Sequence, residues 1–230
     1  GLDIAVIEDI RFARFLRSGD AYRIAARAEL ARHEPRPDVR PDAGPLAWHA
    51  RLVGDLTHAT GVDLAHDVTF CEARVTLRAG FHAEQPTLAR HGSYRAQRDP
   101  YCDATSAVAL SGPFDCLREI EIGGAGRQAL FVPPSRHDDC LGTAFPALLL
   151  DAAWRLSVMH AGEAGGALVV PVRVGRVTAA RGLAFDGPPV IRATAPIVDQ
   201  DLVSCAVTEV TDRTGRVRLR IEDSVAQRVS

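Results

Sequence analysis

Lysine is absent from this 230-residue chain, and all 27 of its basic residues are arginine. That is a bias of coding and carries no chemistry by itself. Acidic residues number 29, so the formal charge is only −2 with histidine neutral. The chain thus lacks the one-signed charge that grips nucleic acid or acidic polymers, and a small or weakly charged ligand is expected. Cysteine is scarce: Cys71, Cys102, Cys116, Cys140 and Cys205 are scattered and odd in number, with no C-x-x-C pair. This excludes a zinc knuckle or a dithiol redox site and suits a reducing cytoplasm. Long hydrophobic runs are missing too. The most apolar stretch, residues 145–159, carries Asp151 and Arg155 and is too short to span a bilayer, and no basic-then-apolar leader opens the chain. A soluble cytoplasmic protein is expected, with no membrane and no nucleic acid among its partners. Its 47% of hydrophobic residues is enough for a sizeable core.

Alternation with a period of two marks the first third. Tyr22, Ile24, Ala26, Ala28 and Leu30 alternate with Arg23, Arg27 and Glu29, and Cys71, Ala73, Val75 and Leu77 alternate with Glu72, Arg74, Thr76 and Arg78. Such strands have one wet face. Residues 4–16 and 46–53 supply two further strands. Residues 32–45 hold four prolines and form a surface loop, since a ladder cannot accommodate them. Residues 79–100 show neither periodicity and read as a linker between a first half, 1–78, and a second half, 101–230.

Short strands are expected in the second half at 106–110, 117–122 and 128–132, followed by an apolar helix at 145–160. Strands return at 168–177, 202–210 and 217–221, with a turn at 212–215. In the last strand Val217, Leu219 and Ile221 alternate with Arg216, Arg218 and Arg220. A helix that is apolar on nearly every side must be covered, and here only strands are available to cover it. A hot-dog fold, a sheet curled around one central helix, meets that need. The first half has comparable strands without a preceding helix. Either it folds differently or its helix lies upstream of Gly1.

Three segments carry a resemblance to a known family. Residues 145–155, Phe-Pro-Ala-Leu-Leu-Leu-Asp-Ala-Ala-Trp-Arg, resemble the second active-site motif of polyketide synthase dehydratase domains, a His-Pro-Ala-Leu-Leu-Asp-Ala run that starts the second hot-dog helix. Upstream, Leu110-Ser111-Gly112-Pro113-Phe114-Asp115-Cys116-Leu117 is similar to the family's Gly-Pro-x-Phe-Gln-x-Leu segment, and residues 6–16 resemble its early strand. Order and spacing fit across nearly the whole chain, and Leu52-Val53-Gly54-Asp55 leans toward the iterative enediyne and polyunsaturated-fatty-acid synthases.

The resemblance implies an α+β double hot-dog fold whose first helix is missing from this chain. It implies a lyase that removes water from a 3-hydroxyacyl thioester, with Asp151 as catalytic acid and Arg155, Pro113, Phe114 and Leu148 against substrate. No cofactor or metal is implied, because the substrate rides on the phosphopantetheine arm of an acyl carrier protein. Neighbouring synthase domains and a second copy of the chain are the other implied partners. A catalytically silent dehydratase-like domain and a hot-dog thioesterase are the alternatives.

Departures from the family pattern stand out as well. No histidine here has the family's H-x-x-x-G-x-x-x-x-P setting, Phe145 replaces the second motif's own His, and an extra Leu lies between Pro146 and Asp151. The Gly-Pro segment is one residue short, and Arg155 stands where Gln or His is usual. The chain alone is therefore expected to have little dehydratase activity.

Dehydration needs a base at the α carbon and an acid at the departing β hydroxyl. Burial on an apolar helix would keep Asp151 protonated, whereas Arg155, four residues on and on the same face, would lower its pKa. A guanidinium turned outward would instead meet the pantetheine phosphate or the carrier. Other candidates are weaker. Gly124-Ala125-Gly126-Arg127-Gln128-Ala129 imitates a dinucleotide fingerprint, but Leu130-Phe131-Val132 continues as strand, so a hairpin turn is expected. His137-Asp138-Asp139-Cys140 is read as a polar loop, His49 as exposed and His66 as a turn residue ahead of a strand.

Overall fold

The structure, a computed structural model, describes residues 3–13, 22–32, 46–58, 60–78, 88, 93–103, 110–132, 147–159, 169–180, 185 and 187–228. Four long strands come first: β1 (Asp3–Phe12), β2 (Tyr22–Arg32), β3 (Leu46–His58) and β4 (Asp63–Arg78). Then follow β5 (Tyr94–Gln97), β6 (Leu117–Gly123), β7 (Gly126–Phe131) and the helix α1 (Ala147–Val158). The chain ends on β8 (Val169–Ala179), β9 (Val190–Thr194), β10 (Ile197–Asp199), β11 (Leu202–Thr211) and β12 (Val217–Arg228).

All twelve strands join one sheet in the order β2-β3-β4-β1-β8-β12-β11-β9-β7-β6-β5, with β10 beside β11. The junction of the two halves is β1. It pairs antiparallel with β4 on one side, Ile7 opposite Val75, and with β8 on the other, Ile7 opposite Val177. The halves are therefore hydrogen-bonded to each other through a strand from the extreme N-terminal part of the chain.

α1 lies against β7, β9, β11 and β12. Its sequence is dominated by Ala and Leu, strong helix formers, with no β-branched residue before Val158. Residues 152–159 are buried without interruption, whereas Ala147 is exposed and Leu150 and Asp151 are half-buried. The helix is thus enclosed along its C-terminal two turns and open at its start. Leu149 and Leu156 of α1 pack with Phe131, Ile191, Val203 and Leu219 in a core confined largely to the second half. Each such side chain contributes about 1.5–3 kcal/mol relative to exposure. At the far end of α1, Nη1 of the buried Arg127 donates to the Ser157 carbonyl at 3.0 Å, placing a cation at the negative end of the helix dipole. No helix among the described residues is long and apolar enough to cross a membrane.

Several expectations need correction. His66 is not in a turn: β4 begins at Asp63, and His66 stands exposed within it. The region read as a linker contains β5, which pairs with β6 at the sheet edge, Tyr94 opposite Gly123. β9 and β10 were not anticipated at all. Leu110 is loop, and residues 106–109, the cluster His137–Cys140, and residues 145, 146 and 160 lie outside the described residues. The hairpin expected at Gly124-Ala125 joins β6 to β7, and β7 runs straight on as strand, so no dinucleotide helix follows. His49 is exposed, as expected.

Candidate active site

Two short turns and the first half of α1 build a polar cluster at the open end of the helix. The first turn begins at Asp99, whose Oδ1 accepts from the Tyr101 amide at 3.0 Å and so caps the 3-10 turn Pro100–Cys102. Pro100 suits this position because a first-turn residue needs no amide donor. The buried Tyr101 hydroxyl donates to the Val169 carbonyl at 3.2 Å, pinning the turn to the start of β8. The second turn is Gly112–Phe114. Gly112 has φ +63°, a left-handed conformation that glycine adopts without strain, and Pro113 then fixes the next φ. The result aims the Phe114 carbonyl at α1.

Arg155 stands between these elements. Its Nε donates to Asp151 at 2.8 Å, its Nη1 to Asp99, and its Nη2 to the Phe114 carbonyl at 2.7 Å. Two sulfurs flank it, Cys102 at 3.9 Å from Nη1 and Cys116 at 3.4 Å from Nη2. Exposure falls sharply across the cluster: 1% for the Arg155 side chain, 5% for Asp99 and 33% for Asp151. Of these three charged groups, Asp151 is the one that opens toward solvent.

The electrostatics follow from two carboxylates sharing one guanidinium. Burial raises the Asp151 pKa; the charge and hydrogen bond of Arg155 lower it in part, and the Asp99 carboxylate raises it again, leaving the group above the ordinary aspartate range. The sequence suggested that pairing with Arg155 would pull Asp151 down. The pairing is present, but burial outweighs it and Asp151 stays raised. Arg155 itself is held in its charged form by Asp151 and Asp99 against the cost of burial. Burial pushes the Cys116 thiol up to about 11 and raises Cys102 as well, so neither sulfur is an activated nucleophile.

The expected substrate contacts divide. Leu148 is buried one turn before Asp151, Pro113 is half-buried, and Phe114 exposes its ring while its carbonyl faces Arg155. Arg155 is buried, and its nitrogens are bonded to Asp151, Asp99 and the Phe114 carbonyl. Asp99 and Tyr101 had no motif to announce them and enter the site only through tertiary contact, whereas Cys116 lies in the Gly-Pro segment already singled out.

No protein-family profile and no curated protein matches the sequence. Solved structures match in shape. A monomeric dehydratase domain from a trans-AT polyketide synthase split module is 11% identical with a TM-score of 0.69, over 99% of this chain and 82% of that one. The dehydratase domain of RzxB from Pseudomonas fluorescens is 17% identical with a TM-score of 0.64, over 96% of this chain and 75% of that one. The CurK dehydratase from the curacin synthase aligns with 100% of this chain and 76% of its own at 12% identity. It is known in an asparagine-for-aspartate form (TM-score 0.65) and a phenylalanine-for-histidine form (0.64), both described as inactive. The chain has the fold of polyketide synthase dehydratase domains. The dehydratase likeness spans both halves, so β1–β4 are part of that fold and not a separate one.

Proposed function

We propose that this chain is the dehydratase domain of a polyketide synthase, converting a carrier-bound 3-hydroxyacyl thioester to the enoyl thioester on a double hot-dog scaffold. The observation that carries the reading is Asp151. It is a partly exposed carboxyl at the open end of an otherwise buried helix, in surroundings that favour its protonated form. An acid of this kind gives its proton to the leaving hydroxyl. A base removes the α proton, the freed electron pair forms the Cα–Cβ double bond, the Cβ–O bond breaks, and water departs with the Asp151 proton. The inactivity described for CurK variants lacking an aspartate or a histidine supports a two-residue acid–base pair of this kind. Here the base is assigned to a histidine in the family's H-x-x-x-G-x-x-x-x-P setting, which no histidine of this chain occupies. The acyl chain is proposed to reach Asp151 along the first turn of α1, past Leu148 and the Gly112–Phe114 turn.

The test supplies a 3-hydroxyacyl pantetheine thioester to a polypeptide that carries this chain together with a histidine in the H-x-x-x-G-x-x-x-x-P setting. Asp151→Asn should lower enoyl formation by about 10²–10⁴-fold, the usual worth of a general acid. An unchanged rate would remove Asp151 from the mechanism, and release of free 3-hydroxy acid would make the domain a thioesterase.

A further inference from the structure

We propose that Asp99 is a positioning residue for the acid: it claims Arg155, and so leaves Asp151 free to carry the proton. The inference rests on the dehydratase reading for its purpose, but its geometry stands independently. A guanidinium binds a carboxylate most strongly when two N–H groups meet two oxygens side by side. Asp151 receives one bond only, from Nε, because the neighbouring Nη2 is spent on the Phe114 carbonyl and Nη1 on Asp99. Asp99 is the better-held partner. Its Oδ1 is fixed by the Tyr101 amide, its Oδ2 accepts from Arg155 and lies 3.6 Å from the Cys102 sulfur, and it is nearly excluded from water.

Charge counting leads to the same place. Asp99 and Arg155 make a closed, neutral pair inside the protein, and Asp151 is the acid left over. The other titratable groups that act on Asp151 or feel it are Tyr101 and Cys116; burial raises both pKa values, so each is neutral near pH 7. Nothing among the described neighbours of Asp151 other than Arg155 favours its ionised form. The family's usual Gln or His at this position needs no such counter-ion, whereas an arginine does.

The experiment is a carbon-detected titration of the Asp151 carboxyl in the full 230-residue chain with labelled aspartate. In the unmodified chain the midpoint should lie above that of ordinary aspartate. In Asp99→Asn, Arg155 is left to Asp151 alone, and the midpoint should drop by about 1–3 pH units. Asp99→Glu, which keeps the charge, should hold it near the original value. A midpoint that stays put or rises in folded Asp99→Asn overturns the proposal.

Should Asp99→Asn fail to fold, Asp99→Asn/Arg155→Gln leaves no buried charge unmatched. There the midpoint should again lie above ordinary aspartate, and a value at or below it overturns the proposal. Failure of the dehydratase reading is separate: it would show as unchanged turnover in Asp151→Asn, whatever the titration gives.

Discussion

Arg155 is the residue on which the site and its stability both turn. Its three nitrogens are committed to Asp151, Asp99 and the Phe114 carbonyl, and its side chain is sealed from solvent. Restoring the glutamine usual in the family would therefore not be a benign repair. Arg155→Gln leaves the Asp99 carboxylate buried without a counter-charge, and stability should fall by about 3–5 kcal/mol, measured by denaturant unfolding. Adding Asp99→Asn should recover much of that loss, because the orphaned charge is gone; equal losses in the single and double variants would show that packing, not charge, dominates. Half of this cluster was legible in the sequence. Asp151 and Arg155 are four apart on one helix, and that spacing alone puts them on one face. Asp99 was not legible. It sits 56 residues before Arg155 in the chain, in a stretch without periodicity, and only the tertiary placement of the Pro100–Cys102 turn brings it in. Of the two opposing effects read for Asp151 in the sequence, burial outweighs the Arg155 pairing, and the Asp99 carboxylate adds a smaller push in the same upward direction.

At the scale of elements, the strongly periodic segments were read well, and the short ones were missed because their pattern is too brief to register. β5 has four residues and β10 three, and β9 is a five-residue strand following two prolines. Each is fixed by its neighbour and not by its own composition, as when β9 lies between β7 and β11 with Ala193 opposite both Arg127 and Thr208. The glycine pattern Gly124-Ala125-Gly126 gains a structural meaning from this pairing. A Cβ on Gly126 would lie 2.6 Å from the backbone oxygen of Ala193, so the glycine permits the close approach of β7 to β9. Gly126→Ala should therefore cost about 1–3 kcal/mol as the two strands are forced apart. Thermal unfolding reads this directly, and an unchanged melting temperature would mean that the β7–β9 pairing yields freely. Turnover by any molecules still folded should be little affected, since Gly126 supplies none of the bonds that Arg155 makes to Asp151, Asp99 and Phe114.

The molecule as a whole depends on β1, whose position was the least legible feature of all. The strand read at 4–16 was grouped with the other strands of the first third; β1 pairs with β8 as well as β4 and makes the sheet continuous. Glu8 marks the seam. Its Oε2 accepts from Arg74 of β4 at 2.8 Å and its Oε1 from Arg176 of β8 at 2.7 Å, so one carboxylate ties together strands from both halves. Burial pushes the Glu8 pKa up, but the bonds and charges of Arg176 and Arg74 outweigh it, and the folded value lies below the ordinary 4.5. A depressed carboxylate stabilises the folded state above its unfolded pKa, and that contribution is lost as pH falls through the folded value. Because both arginines are partly exposed, the contribution is screened and should amount to about 1 kcal/mol at neutral pH. Glu8→Gln should then unfold more easily than the unmodified chain at pH 7. The gap should narrow as pH drops below 4.5 and close once Glu8 is protonated in the folded protein as well. It should also shrink with added salt, as contacts between exposed charges do. A difference that persists undiminished in acid would show that Glu8 holds the seam by shape and hydrogen bonding and that its charge contributes nothing.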